Sequence, residues 1–192
     1  MTATSMTSQL EAVNTLLESI GETRVNSLDA TGFADVASAI ATLTEISRAV
    51  QTVGYHFNTE SEYPLPRDNA NRIPLPTNVL KVTVQGSSGI DITQRGSRLY
   101  DKTNHRDTFE GDQTGAVVLM LPWDDLPQSA RTYIMVRGAR VFQARTLGSD
   151  TQFRFSAEEE MDAEKVLNES EGETGNYNIF TGSNSVTSIM ER

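Results

Sequence analysis

Apolar residues recur along this chain in two rhythms, one helical and one alternating, and the change falls near Tyr55. Before it, Leu10, Val13, Leu16, Leu17 and Ile20 share one helical face. Ser8 with Glu11 forms a capping box and Gly21 a stop, which predicts a helix over about 8–20. Residues 1–7 are small and polar and read as a frayed end. After a loop through Val25 and Leu28, a second helix is predicted over about 34–53. Val36, Ile40, Leu43, Ile46, Val50 and Val53 lie on its inner stripe, Glu45 and Arg48 opposite, and Gly54 ends it. The pair reads as an antiparallel helical hairpin whose stripes cover each other in part and leave room for a third helix.

From Tyr55 the helical period is lost, with prolines at 64, 66, 74 and 76 and then short alternating runs. Leu80, Val82 and Val84 alternate, GSSG at 86–89 is turn chemistry, and Ile90 and Ile92 resume the period of two, so the stretch reads as a hairpin. Arg95 to Arg98 is a second turn, Leu99-Tyr100 a short strand, residues 102–107 a third turn, and Ala116 to Leu121 a buried strand.

The helical rhythm returns at Asp124 and runs to Leu147. Asp125 is placed to cap this helix and Pro127 to occupy its first turn. Leu126, Ala130, Tyr133, Ile134, Val141 and Ala144 form one stripe; Met135, Ala139 and Phe142 form another on roughly the opposite side. Such a helix needs cover on both sides, either as the centre of a bundle or with one stripe against a neighbouring subunit. Arg137 falls inside the first stripe and requires a carboxylate or an edge position, because an unpaired buried guanidinium is costly. A last helix over about 151–170 has a narrow stripe of Phe153, Ala157, Met161 and Leu167. Its Glu158, Glu159 and Glu160 read as a solvated first turn rather than a metal site. The segment from Gly172 is polar, with Tyr177, Ile179, Phe180, Val186, Ile189 and Met190 spaced through it. It is either disordered or ordered along a partner.

The pattern predicts an α+β chain: a helical bundle from 1–54 and 122–171, an inserted small antiparallel β lobe at 55–121, and a C-terminal extension at 172–192. Composition then narrows its function. Lys+Arg number 16 against Asp+Glu 26, a net charge of -10, which opposes sequence-independent binding of nucleic acid. The absence of cysteine excludes disulfides, thiolate nucleophiles and Cys-based zinc sites. AVVLML at 116–121, the longest apolar run, is too short for a bilayer, and MTATSMTSQL lacks signal-peptide character, so a cytoplasmic chain with no membrane is expected.

His56 and His105 lie in unrelated contexts, and no nucleophile elbow, zinc pair, Walker loop or Rossmann fingerprint occurs. Asp124 and Asp125 read as helix caps. Trp123 reads as lobe packing, with a sugar-stacking platform as the alternative. A two-acid glycosidase is left open by the many carboxylates. No cofactor or metal is implied, and assembly fits better than catalysis.

Blocks in a fixed order carry a resemblance: LEAVNTLLESIGE at 10–22, ADVASA at 34–39, VQTVGYHFNTE at 50–60, RGSRLYD at 95–101, DDLPQSARTYIMVRGARVFQAR at 124–145 and GNYN at 175–178. Together they resemble the tail tubular protein A, or adaptor (gatekeeper), family of short-tailed podoviruses, with Tyr55 standing where many relatives have tryptophan. The resemblance implies a structural virion protein, not an enzyme, assembled in the host cytoplasm. It implies a self-associated dodecameric ring between the portal protein and the tail nozzle protein (tail tubular protein B). Tail fibre protein docks around the rim, and DNA passes through the lumen without specific binding. Within that picture Tyr177, Ile179 and Phe180, with the turn residues Ser87, Ser88, Asn104 and His105, are the expected partner contacts. Met135, Arg137 and Phe142 are the expected subunit contacts. The rival readings are a tail-associated glycan-degrading enzyme and a head-completion connector of another phage type.

Overall fold

The computed structural model describes residues 5–29, 34–84, 91–148 and 150–174, with side chains in the last stretch from 157 onward. Among them are four α-helices and small antiparallel sheets, an α+β fold. Helix α1 spans Gln9–Ser19. The Ser8 hydroxyl accepts from the Glu11 N–H while the Glu11 carboxylate accepts from the Ser8 N–H, so the capping box is complete. At its other end Gly21 has φ +85, and the N–H groups of Gly21 and Glu22 close onto the carbonyls of Glu18 and Leu17. That is a Schellman ending, which needs a residue tolerant of positive φ. Of residues 1–7, expected to fray, 1–4 lie outside the described residues, while Thr7 is held at both backbone groups, by Gln128 Oε1 and by donors from Trp123 and Arg131.

Helix α2 spans Ala34–Gln51, and Val53, expected on its buried stripe, is 63% exposed because the helix has already ended. Helix α3 spans Gln128–Leu147 and stops at left-handed Gly148. Its start corrects the sequence reading. Leu126 is extended with ψ 141, because a residue before proline is pushed out of the helical region, and Pro127 occupies the cap position. Asp124 and Asp125 therefore lie in a separate 3₁₀ turn, Trp123–Asp125, and neither caps α3. Helix α4 spans Asp150–Thr174. Glu158, Glu159 and Glu160 thus sit about two turns inside it rather than in its first turn, and Met161, expected on the packed stripe, is 70% exposed.

Among the described residues five strands follow the 3₁₀ turn His56–Asn58: β1 Thr59–Leu65, β2 Val79–Val84, β3 Ile92–Arg95, β4 Arg98–Asp101 and β5 Gln113–Leu119. β5 is the centre of the order β1-β5-β2, antiparallel on both sides. Among the described residues β2 pairs with β5, Val84 opposite Gly115; the turn of the hairpin expected through GSSG, with Ile90, lies outside the described residues. β3 and β4 form a hairpin, with Arg95 opposite Arg98 across Gly96-Ser97. Gly96 has φ +63, as the first position of a type II′ turn requires. At Gly115 an added Cβ would lie 2.6 Å from the Thr83 carbonyl oxygen, so β2 can approach β5 this closely because glycine stands there.

Two apolar cores result. The helices enclose Leu16, Leu17, Leu43, Ile46, Trp123, Ile134, Phe142 and their neighbours, and the strands enclose Leu65, Ile73, Leu75, Leu99, Phe109 and Val117. Between them lies a saturated amide junction. Fully buried Gln51 donates to Ser47 Oγ and the Leu121 carbonyl and accepts from the Leu121 N–H at 2.8 Å. Buried Asn58 donates to the carbonyls of Gln51 and Leu119 and accepts from the Tyr55 N–H. Every one of these groups would be costly to bury unpaired.

Candidate assembly surfaces

Helix α3 is the element that the other helices pack on, touching α1, α2 and α4. Its buried line runs Ala130, Ile134, Gly138, Phe142 at four-residue spacing, and Gly138 faces Leu16 and Leu43. On the other side Glu160 of α4 meets two arginines: Arg140 through a short charge-assisted hydrogen bond, and Arg137 by an ion pair at 3.6 Å. The carboxylate that Arg137 requires thus comes from the acidic run of α4. Arg137 also donates to the Tyr133 hydroxyl at 2.9 Å; burial pushes that phenol up, and the guanidinium opposes it. At the far end of α3, Arg145 grips Glu45 of α2 with two bonds of 2.8 Å and holds that carboxyl below its ordinary value.

Sequence reasoning missed Arg131. It is 5% exposed, and its guanidinium donates to the carbonyls of Leu126, Asp124 and Thr7. The side chain ties the start of α3, the preceding 3₁₀ turn and the segment entering α1 into one corner, with Trp123 Nε1 adding a bond to the Thr7 carbonyl. Trp123 is 9% exposed, which removes the sugar-stacking platform as a reading of it. No pattern in the residue types distinguishes this arginine from its neighbours; the signal is an arginine one turn after Leu-Pro, where free carbonyls gather.

The expected contact residues separate. Ser87, Ser88, Tyr177, Ile179 and Phe180 lie outside the described residues. Asn104 and His105 are exposed at the tip of a turn organised by Asp101, whose carboxylate is buried and accepts from both the backbone and the side chain of Asn104. Those bonds, the side-chain one foremost, hold Asp101 below the usual carboxylate range. His105 has φ +54, a strained left-handed residue that presents its ring to solvent. Met135 and Arg137 are half-buried, with surface left to offer a neighbour. Phe142 is 2% exposed and belongs to the chain's own core, so in this conformation it has no face for a second subunit. His56 is also exposed, and its backbone N–H donates to Glu171 at 2.5 Å.

Among the described residues, two surfaces on opposite flanks of α3 carry no partner. The outer face of α2 carries exposed Ala37, Ala41, Thr44 and Arg48. The side of α4 away from the α3 groove carries exposed Met161, Glu164, Lys165, Asn168 and Glu169, acidic on balance, with Met161 70% exposed. Between α3 and α4 opens a groove of about 470 Å³, floored by Val136, Ala163 and Val166 and edged by Ser129, Thr132 and Asp162. The buried hydroxyl of Ser129 has no partner among the described residues. Among the described residues there is also no group of three or more histidine or carboxylate side chains placed to hold a metal, and no helix long and apolar enough to cross a membrane.

Residues 10–177 match the family described as tail tubular protein. Over 151 residues the chain is 27% identical to tail tubular protein A of Klebsiella phage KP34, covering 79% of this chain and 80% of that relative.

Proposed function

The chain belongs to the tail tubular protein family, structural components of the phage tail, and from that premise we propose that it is a ring adaptor of the virion tail. In this reading identical copies, twelve by the family resemblance, close a ring between the portal protein and the nozzle protein. DNA passes through the lumen and tail fibres dock outside. Its role is structural rather than catalytic, and assembly takes place in the host cytoplasm. The observation that carries the reading is the pair of unlike, unpartnered faces on opposite flanks of α3: small residues with Arg48 on α2, acidic and apolar residues on α4. Unlike faces on opposite sides suit a heterologous interface, which closes into a ring when the rotation between copies closes.

The division of labour follows. Residues 1–54 and 122–171 act as the bundle that meets neighbouring copies, with Met135 and Arg137 near the contact. The lobe at 55–121 faces nozzle and fibres through the turns at 86–89 and 102–107, including Ser87, Ser88, Asn104 and His105. The extension at 172–192 reaches the portal with Tyr177, Ile179 and Phe180 as anchors. An acidic or neutral wall around the lumen would let the duplex slide, because a basic one would hold it by counterion release. The test is mass photometry of the purified chain alone and with its cognate portal. A ring-sized complex in either sample is expected; a monomer indifferent to the portal would overturn the reading.

A further inference from the structure

We propose that the α3–α4 groove is the seat of this chain's own C-terminal segment, with Tyr177 and Ile179 filling it before any partner arrives. Its floor of Val136, Ala163 and Val166 is an apolar strip on an otherwise acidic helix face. Residues 159, 162, 163, 166 and 170 follow one another at helical spacing along its α4 wall, so the groove runs parallel to α4.

Connectivity selects the occupant. α3 and α4 are joined through Gly148, and the groove is bounded at one end by Gln128, Ser129 and Ser170, at the other by Val136 and Glu159. The described part of α4 reaches Thr174, one turn beyond Ser170, so the segment that follows begins beside that end of the groove. Gly172 and Gly175 flank that exit and permit a reversal. From Glu159 to Ser170 the wall is about 16 Å long at about 1.5 Å per helical residue. An extended segment covers that length with about five residues at about 3.3 Å each. Residues 176–180, NYNIF, are the five that follow the reversal, and a period of two sets Tyr177 and Ile179 on one face.

The chemistry agrees. From Gly175 to Met190 the segment carries no charged residue, so the acidic rim of Glu159 and Asp162 does not repel it. Asn176, Asn178 and the extended backbone supply N–H donors to a rim of carboxylates and to the unpartnered Ser129 hydroxyl. A tether of a few residues makes this contact intramolecular, with an effective concentration in the millimolar range. Docked in this way the anchors are sheathed in the free chain, and a partner that uses them must first draw them out.

The chain contains no cysteine, so introduced thiols report without background. The full chain carrying Val166→Cys and Ile179→Cys is oxidised alone, beside a control with Met161→Cys and Ile179→Cys on another face of α4. The expected result is an intrachain disulfide, a monomer two hydrogens lighter, forming roughly tenfold faster or more than in the control, as the tethered geometry predicts. Equal rates in the two pairs would overturn the proposal, as would disulfides that join two chains, which would give the groove to a second copy's segment. Val166 is 56% exposed, so its replacement leaves the core intact. The measurement uses the chain without portal, so its outcome is independent of whether a ring forms.

Discussion

The helical part and the strand part of this molecule are stabilised by different means. The helices bury a continuous set of large aliphatic side chains, from Leu16 and Leu17 through Leu43 to Ile134 and Leu167, and their ion pairs lie at the edges. The strands have a smaller core, and carboxylates organise the turns around it. Asp68 accepts from the N–H groups of Ala70 and Arg72, Asp101 from Asn104, and Asp112 from Arg67, while Asp107 pairs with Arg72 and Arg98. The lesson is that a short-stranded unit with little apolar volume can be given its shape by local acceptor groups, whereas a bundle takes its shape from packing.

Three perturbations separate the two regimes. The largest effect is expected from Leu16→Ala, a fully buried side chain at the α1–α3 contact, which should cost about 2–5 kcal/mol in urea unfolding. A loss under about 1 kcal/mol would mean that the bundle is not what holds the chain together. Next comes a matched pair of glycines. Gly115→Ala drives a Cβ into the Thr83 carbonyl and should cost roughly 1–3 kcal/mol as two strands are forced apart. Gly138→Ala meets the side chains of Leu16 and Leu43 at 3.5 and 3.6 Å, ordinary contact, and should stabilise by about 0.5–1 kcal/mol through helix propensity. Equal signs for the two substitutions would erase the distinction between a rigid strand approach and an adaptable helix contact.

The smallest effect is acid sensitivity. The Asp101 carboxyl lies below its ordinary value of 3.8 in the folded chain, so its contribution is fully present above that value and is lost as pH falls through the lower folded value. Amide protection factors across 101–106, which correct for the slowing of intrinsic exchange in acid, should therefore fall on acidification before those of 12–17. Asp101→Asn should flatten this difference; protection falling equally in both stretches would show that the turn does not depend on its carboxylate.

Much of the helical part was legible because its signals are local. The capping box, the glycine stops and the stripes of α1 and α2 lie within a few turns of one another. Where reading failed, a non-local term decided. β1 was not foreseen, since TESEYPL buries one residue, Leu65, and contains a proline that an edge strand tolerates. The candidate surfaces were less legible. Arg137 announced its need for a carboxylate, but nothing in the sequence designates Glu160 over its two acidic neighbours. Phe142 looked available to a neighbouring subunit, and the fold consumed it in its own core. The groove could not be foreseen either, because its two walls come from helices whose relative rotation is set by packing.

The sequence by itself determined both ends of α1, the stop of α3 at Leu147 and which rhythm each region follows. These depend on hydrogen bonds between residues three or four apart and on the φ that a given residue tolerates. The tertiary structure decided which strands pair, which faces stay open and where buried polar groups find partners. A period of two states which residues share a face but not which strand lies beside them, and the pairing of Val84 with Gly115 joins residues far apart in the chain. Arg131 and Gln51 make the same point: each is an ordinary polar residue in the sequence, and each is buried because folding brings free carbonyls to it.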